Sequence, residues 1–156
     1  MNRKYIVSKQ EFSEIIENLQ KQIDNKTFDM YVCILNGGKH VSDALGIYYA
    51  MYIEASHYTG KYEDSKREKF VRITIKNVDV HMLRFVHNHF TRILVIDDVL
   101  DTGDTATAIT NMLGSNNDIT LAVAIEKEGH RYAGNVLSGK KISKDDWVIF
   151  DWEQNQ

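Results

Sequence analysis

The chain has 156 residues, 43% of them hydrophobic and 26% charged, the size and balance of one ordinary globular domain with a real core. Its net charge of −3, with both signs spread along the chain, provides no basic face and argues against general nucleic-acid binding. The single cysteine, Cys33, lies in an apolar run and reads as a buried inert thiol, no apolar run approaches the roughly 18 residues of a membrane span, and Met1-Asn-Arg-Lys-Tyr5 has no signal-peptide core, so a cytoplasmic protein without disulfides, cysteine-rich metal sites or membrane partner is expected.

Ser8-Lys-Gln-Glu11 has the form of a capping box, and Phe12, Ile15, Ile16, Leu19 and Ile23 follow at helical spacing, which predicts a scaffold helix. Phe28 to Leu35 reads as a buried strand ending in Asn36-Gly37-Gly38-Lys39, and an amphipathic helix is expected across Ser42 to Met51. A strand, a glycine loop and a helix N-terminus can bind an anion, although a Gly-Gly pair alone is more often just a turn. Tyr52 to Tyr58 reads as another strand, with Phe70 to Ile75 as its return. The hydrophilic stretch between them, Thr59 to Lys69, is either a solvated hairpin tip or a mobile lid. His81, His87 and His89 have neither the spacing nor the partners of a metal site and read as solvated residues of a connecting helix.

Ile93 to Ile96 is β-branched and wholly apolar, the pattern of a strand buried on both faces of a parallel sheet. Asp97, Asp98 and Asp101 follow, then Thr102-Gly103-Asp104-Thr105, then a helix over Ala106 to Leu113. Gly103 permits a tight turn, and Thr102, Thr105 and the free N–H groups of the helix start form a cradle for a phosphate. Carboxylates accept hydrogen bonds, so Asp97 and Asp98 suit a ribose diol or a hydrated divalent cation. A sugar phosphate fits both halves. Asp104 would repel a phosphate unless it turned outward, so an outward, substitution-tolerant side chain is expected there. Gly114 to Asp118 is a turn, Ile119 to Ile125 a core strand leading into Glu126-Lys127-Glu128, and the remainder through Ser143 reads as polar and irregular. Asp146 to Glu153 is an aromatic strand, suited to packing or to a platform for a flat heterocycle.

From Ile93 to Thr105 the chain resembles the type I phosphoribosyltransferases, whose motif is a hydrophobic strand, two acids, two residues, Asp-Thr-Gly, one residue and Thr. From about Tyr5 to Glu153 it is similar to their short microbial xanthine-guanine/hypoxanthine type. The resemblance implies an α/β domain over residues 1–156, with a mainly parallel central sheet flanked by helices and a small C-terminal hood built mainly from 126–156. It implies 5-phosphoribosyl-1-pyrophosphate and a purine base as substrates, Mg²⁺ as cofactor, purine salvage as the role and a homo-oligomer, with Ile47 to Tyr52 as interface material. Asp97 and Asp98 would orient the ribose hydroxyls, and Mg²⁺ would be held mainly by substrate oxygens, these two acids being the candidate protein ligands. Asp101 would relay the N7 proton of the base, and Asp101, Thr102, Gly103, Asp104 and Thr105 would wrap the 5′-phosphate. Asn36, Gly37, Gly38 and Lys39 stand at the pyrophosphate loop, where the family often has Arg-Gly-Gly or Lys-Gly; Lys39 either supplies the missing charge or points to solvent. Lys127 would donate to the purine O6, Trp147 would stack on the base, and backbone groups near Val148 would read its exocyclic position. The family's short members often end Trp-Ile-Val-Phe-Pro-Trp-Glu; here Asp151 replaces the proline, and the chain has none. Two alternatives remain: a non-catalytic regulator that senses the ribosyl pyrophosphate and binds nucleic acid, disfavoured by the missing basic face, and a transferase for another base such as adenine, disfavoured because Lys127 would meet a second donor.

Overall fold

The computed structural model describes residues 2–60 and 70–154. Its elements are β1 (Arg3–Val7), α1 (Lys9–Ile23), β2 (Met30–Leu35), α2 (Gly37–Ala44), β3 (Met51–Gly60), β4 (Phe70–Lys76), α3 (Val80–Asn88), β5 (Arg92–Leu100), α4 (Asp104–Leu113), β6 (Asp118–Lys127), β7 (Asn135–Ile142) and β8 (Asp146–Phe150), closed by a short turn of 3₁₀ helix at Asp151–Glu153. Alternation explains the apolar run of β5: Leu94 and Ile96 enter the core beneath α1 and α2, while Ile93 and Val95 enter the one beneath α3 and α4. All four are fully buried, each such side chain contributing about 1.5–3 kcal/mol. The fold is α/β, with a mainly parallel sheet between helices.

The six-stranded sheet has the order β4-β3-β2-β5-β6-β7, parallel at every pair except β3 with β4. From β2 the chain builds outward to β3 and β4, then returns to the other side of β2 to build β5, β6 and β7. The connections therefore diverge between β2 and β5, and the loops leaving the carboxyl ends of these neighbours open a crevice there.

Several expectations change. The helix after Gly38 occupies Gly37–Ala44 rather than Ser42 to Met51, because the chain reverses at its end: the Ser42 hydroxyl donates to the Ile47 carbonyl at 2.6 Å, and the Ile47 N–H donates to the Ser42 carbonyl at 2.9 Å. Met51 then opens β3. The segment read as irregular contains β7, an edge strand parallel to β6. The hood is also differently made. Residues 135–142 belong to the main sheet, and β8 pairs in parallel with the N-terminal β1, from Arg3 opposite Asp146 to Val7 opposite Phe150. Arg3 anchors the pair through two bonds to the buried Asp146 carboxylate, at 3.0 and 3.1 Å. Only half of the capping box forms: Ser8 accepts from the Glu11 N–H at 3.1 Å, but the Glu11 carboxylate is taken by the Tyr5 hydroxyl and by Lys140, the latter at 2.7 Å. The stretch of the lid or hairpin tip over 61–69 lies outside the described residues; the strands leading into and out of it, β3 and β4, pair antiparallel. His81 and His87 lie on α3, with His89 at its end. Among the described residues no helix is long and apolar enough to cross a membrane.

Candidate active site

The crevice between β2 and β5 gathers two of the loops singled out in the sequence. The first, Asn36 to Lys39, lies hard against the end of β5. A Cβ on Gly37 would sit 1.9 Å from a carboxylate oxygen of Asp98, and one on Gly38 would sit 2.8 Å from the Ile96 carbonyl. No larger residue fits while Asp98 stays in place, so the two glycines bring the exposed amino end of α2 to the acids. The Leu35–Asn36 peptide is cis, and Asn36 caps α2 without a side-chain bond. Lys39 does not reach toward β5. It pairs along its own helix with Asp43 at 2.8 Å and lies 5.9 Å from the Tyr52 ring centre, which also holds its pKa above the ordinary lysine value through the bond to Asp43.

The second loop leaves β5 as Asp97 to Gly103. The Asp97 carboxylate accepts the Asp98 N–H at 2.9 Å, and that of Asp98 accepts the Val99 N–H at 2.8 Å. Burial, reinforced by the neighbouring Asp98 carboxylate, pushes Asp97 well above the usual carboxylate range. Such a carboxylate is poised to accept hydroxyl protons or to face a cation. Burial likewise pushes Cys33 up to about 12, with the Asp97 charge adding to it, in keeping with an inert thiol. Gly103 caps α4 in the left-handed region at φ 93°, and the Thr102 hydroxyl accepts the first helical N–H, that of Asp104, at 3.3 Å, so the N–H groups that follow, from Thr105 on, are those an anion would meet. Asp97 and the stretch Asp101 to Thr105 line one cavity of about 230 Å³ with His57 at its rim.

Asp104 is not turned outward as the sequence suggested. It lines that cavity, with its side chain only 24% exposed. The reason is compensation: Arg131 donates to both its oxygens at 3.1 and 3.4 Å, the Thr102 hydroxyl donates at 3.0 Å, and the His57 ring nitrogen lies 3.8 Å away. Both arrive from distant segments: Arg131 carried no sequence signal, and His57 stood out only because His57 to Gly60 resembles the start of the family's flexible loop.

The base-side candidates also converge. The Lys127 ammonium, on a side chain only 7% exposed at the end of β6, lies 3.3 Å from an Asp101 carboxylate oxygen and 5.9 Å from the Trp147 ring centre. Asp101 remains 56% exposed and Trp147 likewise, so the acid and the indole face open space on either side of a buried cation. Val148 is half-buried, paired with Tyr5. Beside this group, Glu126 takes His130 at 2.9 Å and the Ser138 hydroxyl at 2.7 Å, which holds the turn after β6 against β7. Among the described residues no cluster of three or more His, Cys, Asp or Glu side chains forms a protein-built metal site.

Residues 4–154 match the family model of the phosphoribosyl transferase domain. No curated protein sequence matches the chain. Solved structures share its fold at low identity. A protein of Neisseria gonorrhoeae with bound ppGpp superposes with a TM-score of 0.74 at 18% identity, covering 98% of this chain and 90% of that one. A purine phosphoribosyltransferase of Pyrococcus horikoshii gives 0.68 at 19%, covering 96% and 94%. The xanthine-guanine-hypoxanthine phosphoribosyltransferase of Helicobacter pylori gives 0.66 at 20%, covering 99% and 95%.

Proposed function

Since the chain belongs to the phosphoribosyl transferase domain family, we propose that it makes a nucleoside 5′-monophosphate and pyrophosphate from 5-phosphoribosyl-1-pyrophosphate and a 6-oxopurine, hypoxanthine, guanine or xanthine, in purine salvage. The observation that carries this reading is the Lys127 ammonium between Asp101 and Trp147. One cation there links the end of the sugar-phosphate loop to an aromatic platform, which is where the bond between sugar and base must form. The Pyrococcus neighbour is a purine phosphoribosyltransferase and the Helicobacter one a xanthine-guanine-hypoxanthine phosphoribosyltransferase, in keeping with it.

In this reading the base lies on Trp147 with its O6 taking a hydrogen bond from Lys127, and the unpaired edge of β8 offers backbone groups near Val148 to its other side. A purine nitrogen attacks C1′ as the bond from C1′ to pyrophosphate breaks, and Asp101 receives the N7 proton. Asp97 and Asp98 orient the ribose hydroxyls, and their negative charge favours the positive character that develops on the sugar. The amino end of α4 with Thr102 and Thr105 holds the 5′-phosphate, and Asn36 to Gly38 at the amino end of α2 holds pyrophosphate. With Lys39 engaged by Asp43, that pyrophosphate loop relies on backbone N–H groups.

Mg²⁺ fits this donor set: two adjacent hard carboxylates, one of them strained by burial, beside an open crevice rather than an enclosed cage. When bound through substrate oxygens, it neutralises the leaving pyrophosphate. We further propose a cytoplasmic homo-oligomer, with Tyr48 and Tyr49, each 71% exposed in the turn before β3, as contact residues.

The test is nucleotide formation from 5-phosphoribosyl-1-pyrophosphate and Mg²⁺ with hypoxanthine, guanine, xanthine, adenine and uracil. An oxopurine should turn over, and Asp101→Asn should lower kcat roughly 100- to 1,000-fold. Turnover of adenine alone would move the acceptor. Absence of any turnover, with the ribosyl pyrophosphate still bound, would point to a regulator.

A further inference from the structure

Two donors and a histidine ring, from three separate parts of the chain, converge on the Asp104 carboxylate. Thr102 comes from the loop itself, Arg131 from the turn after β6 and His57 from β3, at 3.0, 3.1 and 3.8 Å. The carboxylate lines the cavity of the phosphate loop, on the first residue of α4. A ring of donors around an anion at a helix start is what a phosphate site looks like when filled. Here the anion is the chain's own.

The Arg131 backbone is fixed to the same loop. Its N–H donates to the Thr102 carbonyl at 2.8 Å, and the next residue, Tyr132, packs so closely that a Cβ on Gly103 would lie 2.6 Å from its nitrogen. Among the described residues the guanidinium has no other partner, and the side chain is 74% exposed. It can change its partner without moving the backbone.

We propose that Asp104 is a stand-in for the substrate's 5′-phosphate, and that Arg131, with His57 at the rim, passes from this carboxylate to the phosphate when substrate binds. A dianionic phosphate offers more acceptor sites and more charge than a carboxylate, so the exchange runs forward on binding and back on release. The departing cation leaves Asp104 to the Thr102 hydroxyl and to solvent. This rests on the ribosyl pyrophosphate reading above and adds to it a cation from outside the motif, together with an internal competitor that weakens phosphate binding.

Calorimetric titrations of the full chain with ribose 5-phosphate, 5-phosphoribosyl-1-pyrophosphate and inorganic pyrophosphate, with ribose as the control, test it. Arg131→Gln should weaken ribose 5-phosphate and the ribosyl pyrophosphate about tenfold or more and leave pyrophosphate unchanged. Asp104→Asn should tighten ribose 5-phosphate severalfold. Asp104→Asn should tighten binding less in the Arg131→Gln background than in the wild type, because without the arginine only the direct repulsion between carboxylate and phosphate is left to remove. Arg131 is exposed and Asp104 keeps its size on substitution by Asn, and circular dichroism checks the folding of each variant. Unchanged ribose 5-phosphate binding by Arg131→Gln, or weaker binding by Asp104→Asn, would overturn the exchange alone, provided the wild-type chain binds the ribosyl pyrophosphate. A wild-type chain that binds neither phosphorylated ribose would overturn the functional reading and this inference together.

Discussion

Between Asp97 and Thr105 the functional groups come from one continuous stretch, and local geometry holds them: a left-handed glycine at the helix start, and side chains bonded to nearby N–H groups. Trp147 and Val148 are held in the opposite way. Their strand pairs with β1, from the far end of the chain, and its anchor is the bond between Arg3 and the buried Asp146. The phosphate side therefore tolerates no side chain at Gly37, Gly38 or Gly103, where an added Cβ would lie 1.9, 2.8 and 2.6 Å from its nearest neighbour. The base side rests on side chains that project from a paired strand and can be changed without disturbing what carries them. A transferase benefits from this division, because every substrate of the type shares the ribosyl phosphate while the acceptor base varies.

Gly103→Ala breaks the comparison most severely. The new methyl would meet the Tyr132 backbone nitrogen at 2.6 Å in a left-handed conformation that alanine adopts poorly. Neither neighbour can yield, since Arg131 N–H already bonds the Thr102 carbonyl. A loss of about 2–4 kcal/mol of stability is expected, with phosphate binding lost alongside it. Urea unfolding and ribose 5-phosphate titration measure the two effects. A variant that keeps both would show that the loop is adaptable and that the contrast with the base side is false.

The same division decides what the sequence could tell. The strand Ile93 to Ile96 and the loop after it were legible because one stretch of chain makes the strand, the turn and the helix start, and the apolar run has to be buried on both faces. The pairing of β1 with β8 was not, since nothing local in Arg3–Val7 names a partner at the other end of the chain. β7 was missed because an edge strand covered on one side carries a weak apolar pattern, with only Val136, Leu137 and Ile142 turned toward the core. Asp104 was misjudged for a related reason: repulsion from a phosphate is a local argument, while the cation that offsets it lies at Arg131, on a different strand's exit loop. Lys127 and Trp147 were placed by resemblance, and the approach of the Lys127 ammonium to both Trp147 and Asp101 is a tertiary fact.

Trp147→Ala sharpens the contrast from the other side. The indole is 56% exposed and its strand is held elsewhere, so thermal stability should change little, whereas losing the platform should raise the KM for an oxopurine about tenfold, the usual worth of one stacked base. The KM for the ribosyl pyrophosphate should stay within about twofold, because its ligands lie on loops that Trp147 does not support. A comparable rise in both KM values would show that the hood and the phosphate side act as one unit.

The smallest effect expected is a gain. Asp97 carries an unfavourable buried charge, its pKa raised by burial and by Asp98. The sign of the linkage follows from that direction. Below the ordinary aspartate range both folded and unfolded chains are protonated, and Asp97 contributes nothing. As pH rises, the unfolded chain releases its proton first, so the folded state loses stability until pH passes the raised value, and the penalty persists above it. Asp97→Asn removes the penalty without changing shape and should stabilise the ligand-free protein by about 1 kcal/mol near neutral pH, while impairing ribose binding. Urea midpoints at about pH 2.5 and about pH 8 separate this from a packing effect: the advantage of the variant should open with rising pH and nearly vanish at the acid end. An advantage of equal size at both would mean that charge is not its origin. Such a gain confined to the phosphate side, with none from neutralising residues around Trp147, is what a site strained for function beside an unstrained one requires.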